Sequence, residues 1–75
     1  MFTKELFGQR ILELRKQNGE TQTDLANVIQ SGKSHISEME KGKMTTTIEK
    51  LALICEHYKV SANYLMGLSD DPELR

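Results

Sequence analysis

The sequence predicts a compact all-α domain of five short helices, and three observations predict it. Apolar residues recur at spacings of three and four in successive windows, with no segment alternating at period two. Hydrophobic residues make up 37% of the chain, with two Phe, two Tyr and no Trp. The core is therefore filled by Leu, Ile, Val, Met and Ala, which suits packed helices better than a sandwich or barrel built from β-branched and aromatic side chains. The one proline, Pro72, lies near the end, so no helix in the body is interrupted. Seventy-five residues suffice for one domain with one modest core.

Helix 1 is expected from about Lys4 to Asn18, with Phe7, Ile11 and Leu14 on one stripe and Asn18-Gly19 as its stop. Thr21 caps helix 2, with Asp24 three residues on in a capping-box arrangement, and the helix spans about Gln22 to Gln30. Helix 3 runs from about Lys33 to Lys41, between Gly32 as a weaker N-cap and Gly42 as its stop. A polar loop, Lys43 to Thr46, leads to a second capping box, Thr46 with Glu49, that starts helix 4 at about Thr47. Ile48, Leu51, Ala52, Cys55 and Tyr58 are its expected buried face. Ser61 caps a short helix 5, Ala62 to Met66, which carries Tyr64 and Leu65 and stops at Gly67. Residues 1–68 form the domain and 69–75 an acidic tail. Within the tail, Asp71-Pro72-Glu73 is a helix-start signal, either a frayed end or the first turn of a following element.

Charge and special residues exclude several classes of function. The formal net charge of −1 argues mildly against nucleic acid, because many domains that bind it are clearly basic. The tail, however, holds three of the eleven acids and one of the ten bases, so residues 1–68 carry +1. Lys33, Lys41 and Lys43 gather in and just after helix 3, and such a local strip can meet phosphates on a nearly neutral molecule. The single cysteine, Cys55, excludes an intramolecular disulfide and suits a reducing compartment, so a cytoplasmic location is expected. No apolar run reaches membrane-spanning length, and the N-terminus lacks an apolar signal core. His35 and His57 fall on different helices, and there is no HxxxH, CxxC or glycine-rich phosphate loop. No metal, no cofactor and no catalytic residue is expected.

The stretch QTDLANVIQSGKSHISEMEKG, residues 22–42, is the most informative. Two amphipathic helices, one with Leu25, Ala26 and Ile29 inward and the other with Ile36 and Met39 inward, are separated by two or three residues. Helices joined that tightly must cross steeply, with a small residue such as Ala26 at the crossing. This is the geometry of a helix-turn-helix, whose second helix can lie in the DNA major groove.

On these residues the chain resembles the Cro/phage-repressor (Xre-type) helix-turn-helix family, over about residues 6 to 68. The matching features run in order without a gap. They are Ile11, Leu14 and Arg15; Gln22; Leu25-Ala26 and Ile29; Ser34, Ile36-Ser37 and Met39; Glu40-Lys41-Gly42-Lys43; Leu51 and Ile54; Val60-Ser61; and Tyr64-Leu65 to Gly67-Leu68. The resemblance implies a lambda-repressor-like fold and a sequence-specific regulator of transcription, a repressor, that binds a double-stranded, near-palindromic operator as a homodimer. Two departures stand out. The family has a glycine and then a hydrophobic residue in the turn, where this chain has Gln30 and Ser31. Either Gln30 takes a left-handed conformation at a cost of about 1 kcal/mol, or the turn is reshaped around Gly32. Glu38 stands where relatives often have a neutral or basic residue; it either accepts from a cytosine amino group or pairs with a nearby lysine.

By the same resemblance, Lys33 and Ser34 meet base edges first, with Ser37 and Glu38 one turn later. Gln22 matches the residue that contacts phosphate from the start of helix 2, flanked by Thr21 and Thr23, whose simpler role is capping. Lys41, Lys43 and the run Thr45-Thr46-Thr47 form a second phosphate clamp, and His35 touches phosphate or water. Arg15 and Glu40 look like the family's internal ion pair, the plainer alternative being two solvated charges. Tyr64, Met66 and Leu68 are the expected dimer surface, unless they only finish the core. A competing reading is a protein-interaction module on the same scaffold, such as an antitoxin or anti-repressor subunit, which the acidic balance and Glu38 favour slightly.

Overall fold

The computed structural model describes residues 1–73, which form five α-helices: α1 Lys4–Gln17, α2 Gln22–Val28, α3 Lys33–Glu40, α4 Ile48–Tyr58 and α5 Ala62–Leu65. These are the five helices that the sequence predicts. Where the expected ends ran one or two residues long, the surplus residues include the C-caps Asn18, Ile29, Lys41 and Met66. Hydroxyls start four of the helices: Thr3, Thr21, Thr47 and Ser61 each accept from an amide three residues on. At α2 the box is complete, with Asp24 accepting from the Thr21 amide at 2.9 Å. No helix among the described residues is long and apolar enough to cross a membrane.

The core lies where α1, α2, α3 and α4 meet. Ile11, Leu25, Ile29, Ile36, Met39, Ile54 and Leu65 are fully buried, each worth about 1.5–3 kcal/mol. Two small residues allow the close approaches. Ala26, at the α2–α3 crossing, is 2% exposed. Gly8, which the sequence pattern did not single out, is buried against the end of α3; a Cβ there would collide with the Met39 carbonyl oxygen.

Two expectations at α4 are corrected. Its N-cap is Thr47 rather than Thr46: the Thr47 hydroxyl accepts from the Lys50 amide at 3.2 Å, whereas the Thr46 hydroxyl lies 3.3 Å from the His35 ring. Three adjacent threonines offer three comparable caps, so packing further along the helix sets the register. The buried face is also rotated. Ile54 and Cys55 are buried with Leu51 and Tyr58 half-buried, while Ile48 is 81% exposed and Ala52 is exposed. The run IEKLALIC contains two overlapping helical stripes, and periodicity cannot choose between them. Leu51, Cys55 and Tyr58 belong to both stripes, and the fold takes the one that buries Ile54 in place of Ile48 and Ala52.

Helix ends follow one pattern. After α3, the Lys43 amide donates back to Glu38 O and the Gly42 amide to Met39 O, around Gly42 at φ +76°. After α2, the Ser31 amide donates to Ala26 O at 2.8 Å and the Gln30 amide to Asn27 O, but the left-handed residue is Gln30, at φ +56°. The turn therefore keeps its shape without glycine, and of the two alternatives raised by the sequence it takes the left-handed one.

Residues 69–73 do not begin a helix. They run back across the domain, with Val60 bridging to Glu73 and the Ser61 amide donating to Pro72 O at 3.0 Å. Arg10, 8% exposed, pins this return. Its guanidinium stacks 4.1 Å from the centre of the Tyr64 ring and donates to Tyr64 O, to Ser69 O and to Asp70. The helix-start signal at Asp71 is spent locally instead, its carboxylate accepting from the Glu73 amide at 3.0 Å.

Candidate nucleic-acid interface

The inner side of α3 anchors the site. Ile36 and Met39 are fully buried, and two turns of helix leave Lys33 and Ser34 exposed and Ser37 and Glu38 half-buried on the outer side. No part of the described chain covers Lys33 or Ser34. Gly32, the N-cap of α3, is extended and supplies no side-chain acceptor, so the first-turn amides of α3 have no side-chain cap.

Beneath this helix a polar network locks the scaffold. Arg15 Nε donates to Glu40 at 2.7 Å and Arg15 Nη2 to the other Glu40 oxygen at 3.1 Å, a two-pronged pair. Their side chains are 11% and 5% exposed. The hydrogen bond to Glu40, opposed by burial, holds the Arg15 pKa above its ordinary value. Arg15 Nη1 donates to Glu20 O at 2.7 Å, and the Tyr58 hydroxyl donates to the Glu20 carboxylate at 2.5 Å. Burial first, then Glu20, pushes the Tyr58 phenol well above the ordinary tyrosine range, so it stays a donor. The His57 ring lies 2.5 Å from the second Glu20 oxygen. Burial likewise pushes the Cys55 thiol up, which keeps it an inert core group.

The network reaches the start of α2. Gln22 Nε2 donates to Glu40 at 2.9 Å, so its side chain is already oriented from within. Thr21 is engaged in its capping box, where its backbone amide and then its hydroxyl hold the Asp24 carboxyl below the usual carboxylate range. Thr23 is exposed beside them.

A cleft of about 340 Å³ separates the α2–α3 turn from the start of α4. It brings together His35, Thr45, Thr46 and Thr47 from the expected phosphate set, and adds Ser31 and Lys50. Lys41 and Lys43 are exposed nearby in sequence but do not line it. Lys50 carries no signal at the sequence level. Its ammonium donates to Gln30 O at 3.2 Å and to Ser31 Oγ at 2.9 Å, across 19 and 20 residues, and no local pattern marks an interaction of that range.

The expected dimer residues differ in exposure. Tyr64 is half-buried beneath Arg10, Met66 is half-buried beside an apolar recess lined also by Phe2, Ile48 and Leu51, and Leu68 is 59% exposed.

Comparison with known proteins agrees with this architecture. A family model described as a helix-turn-helix domain matches residues 8–70. The uncharacterized HTH-type transcriptional regulator YobD of Bacillus subtilis is 34% identical over 68 residues, covering 91% of this chain and 61% of that protein. This chain thus spans less than two thirds of that relative. The crystal structure of the phage P22 c2 repressor protein in complex with a synthetic operator superposes with a TM-score of 0.77 at 26% identity, over 81% of this chain and 92% of that one. SinR, the master regulator for biofilm formation, in complex with DNA, gives a TM-score of 0.69 at 32% identity, over 79% and 95%.

Proposed function

The chain belongs to the helix-turn-helix domain family, of Cro/phage-repressor type, and from that premise we propose that it is a sequence-specific DNA-binding regulator of transcription, acting as a repressor on the nucleoid of a bacterial cell or phage-infected host. The observation that carries this reading is the outer face of α3, where Lys33 and Ser34 stand exposed while Ile36 and Met39 root the helix in the core. Both SinR and the c2 repressor were solved on DNA with this same framework.

In the proposed complex the start of α3 enters the major groove. Lys33 donates to guanine O6 and N7, Ser34 and Ser37 donate or accept at base edges, and Glu38 accepts from a cytosine amino group. Gln22, with Thr21 and Thr23, meets backbone phosphate on one side of the groove. Lys41, Lys43, His35 and the hydroxyls of Thr45, Thr46 and Thr47 meet it on the other. Residues 1–68 constitute the binding domain, and 69–75 an acidic tail. One domain makes too few base contacts to select a site. Two copies, pairing through Met66, Leu68 and the uncovered part of Tyr64, place their α3 helices one turn of DNA, about 34 Å, apart on a near-palindromic operator.

The test is selection of duplexes from a random pool, followed by footprinting on DNA beside its own gene and by titration across salt concentrations. A repressor of this kind enriches an inverted repeat, binds it as a dimer and loses affinity steeply as salt rises. Failure to favour any duplex over scrambled competitor, together with co-purification of a protein partner, would select the interaction-module reading instead.

A further inference from the structure

The joint between α2 and α3 has two backbone hydrogen bonds of its own, from the Ser31 amide to Ala26 O and from the Gln30 amide to Asn27 O, around a left-handed residue that is not glycine. Gln30 sits in the left-handed region at φ +56°, Gly32 is free to adopt many conformations, and α3 begins without a side-chain cap. Among the described residues, the hydrogen bonds that reach Gln30, Ser31 or Gly32 from outside α2 and α3 both come from Lys50 on α4. Lys50 is half-buried, belongs to none of the described ion pairs, and spends two of its three ammonium protons on this joint.

We infer that Lys50 is a positioning residue for DNA reading: it clasps the turn from α4, standing in for the absent turn glycine, and so fixes how α3 presents Lys33 and Ser34. The argument is geometric. The Ser31 amide, bonded to Ala26 O at 2.8 Å, holds one side of the peptide between Gln30 and Ser31, and Lys50 holds the other through Gln30 O and Ser31 Oγ, so the peptide is pinned from both sides in the orientation that the left-handed Gln30 requires. Lys33 lies two residues beyond Ser31, so a rotation of that peptide swings the start of α3. The pitch of the helix decides whether a bidentate hydrogen bond to a base edge can form, whereas phosphate contacts tolerate small tilts. The inference rests on the DNA-binding reading for its consequence and on the hydrogen bonds alone for the clasp.

The experiment compares wild type, Lys50→Met and the double variant Lys50→Met/Gln30→Gly. Each is measured on a duplex selected by the wild-type protein and on random-sequence duplex, across salt concentrations. Lys50→Met is expected to bind the selected duplex about tenfold more weakly, the scale of one base-reading side chain removed, with binding to random duplex and the salt slope unchanged. The double variant recovers most of that affinity, because glycine holds the left-handed turn unaided. A salt slope reduced by about one with no rescue would make Lys50 a phosphate ligand and overturn the inference. Equal weakening on both duplexes, with a lower melting temperature, would overturn it as a merely structural role. Amide hydrogen exchange on the free proteins tests the clasp separately. Lys50→Met speeds exchange at Ser31, His35 and Ile36, whose amides are bonded across the joint, and leaves the α1 amides unchanged; unaltered exchange at the joint would also overturn it. If the wild-type protein favours no duplex, the proposed function fails while the exchange result still judges the clasp.

Discussion

On its inward side α3 presents Glu40, its side chain 5% exposed and accepting three hydrogen bonds, two from Arg15 and one from Gln22; on its outward side it presents Lys33 and Ser34, exposed and joined to no other side chain among the described residues. Polar groups of similar kind, on one helix of eight residues, are thus used in two ways. The inner set is desolvated, so each charge must be answered within the fold, and no buried side-chain polar atom among the described residues lacks a partner. The outer set keeps its water and its rotamer freedom until something binds. The contrast separates shape from recognition: changes to the inner set should appear in stability, and changes to the outer set in binding.

The sharpest way to break that division is at Glu40. Glu40→Ala strands the Arg15 guanidinium and removes the acceptor of Gln22, and is expected to destabilise the domain by about 3–5 kcal/mol. Denaturant unfolding monitored by circular dichroism measures it. Replacing Arg15 and Glu40 together by apolar residues should recover much of that stability, since both charges then leave the interior. A cost below about 1 kcal/mol for Glu40→Ala, the scale of an exposed pair, would mean the network is solvated and the two sides of α3 are not distinct.

On the outer side, Lys33→Ala and Ser34→Ala should leave stability within about 0.5 kcal/mol. Each should weaken binding to a selected operator by about 1–3 kcal/mol while relaxing the preference at one base position. Competition binding against single-base operator variants reads the change. Equal weakening on operator and random duplex would move these residues from base reading to backbone contact.

The two sides were not equally legible from the sequence. The outer face of α3 follows from period alone: once Ile36 and Met39 point inward, Lys33, Ser34, Ser37 and Glu38 must lie outward or at the flanks. Caps and breaks placed helices 2, 3 and 5 and the end of helix 1, because Thr21, Ser61, Gly19 and Gly42 act on neighbours within a few residues. What escaped the sequence is long-range. Arg10 finds Tyr64, Ser69 and Asp70 across 54 to 60 residues, and Lys50 finds the turn across 19 and 20. Gly8 is needed only because the Met39 carbonyl lies against it. At α4 the local signal itself was ambiguous, with three threonines for one cap and two apolar stripes for one buried face.

The smallest effect sharpens the comparison most finely. Lys43 is exposed just beyond Gly42 and lies outside the cleft that holds His35 and Lys50. If it acts only as a cation near the phosphates, Lys43→Ala should lower affinity by a similar factor for every duplex and leave the preferred sequence unaltered. It should also reduce the salt slope by about 1, because one fewer counterion is released. Stability should not move. Measuring log affinity against log salt for wild type and variant, on operator and on random duplex, gives both numbers from one titration series. A changed base preference would place Lys43 among the readers. An unchanged slope would remove it from the clamp and leave Lys41 and the threonine hydroxyls to hold the backbone on that side of the groove.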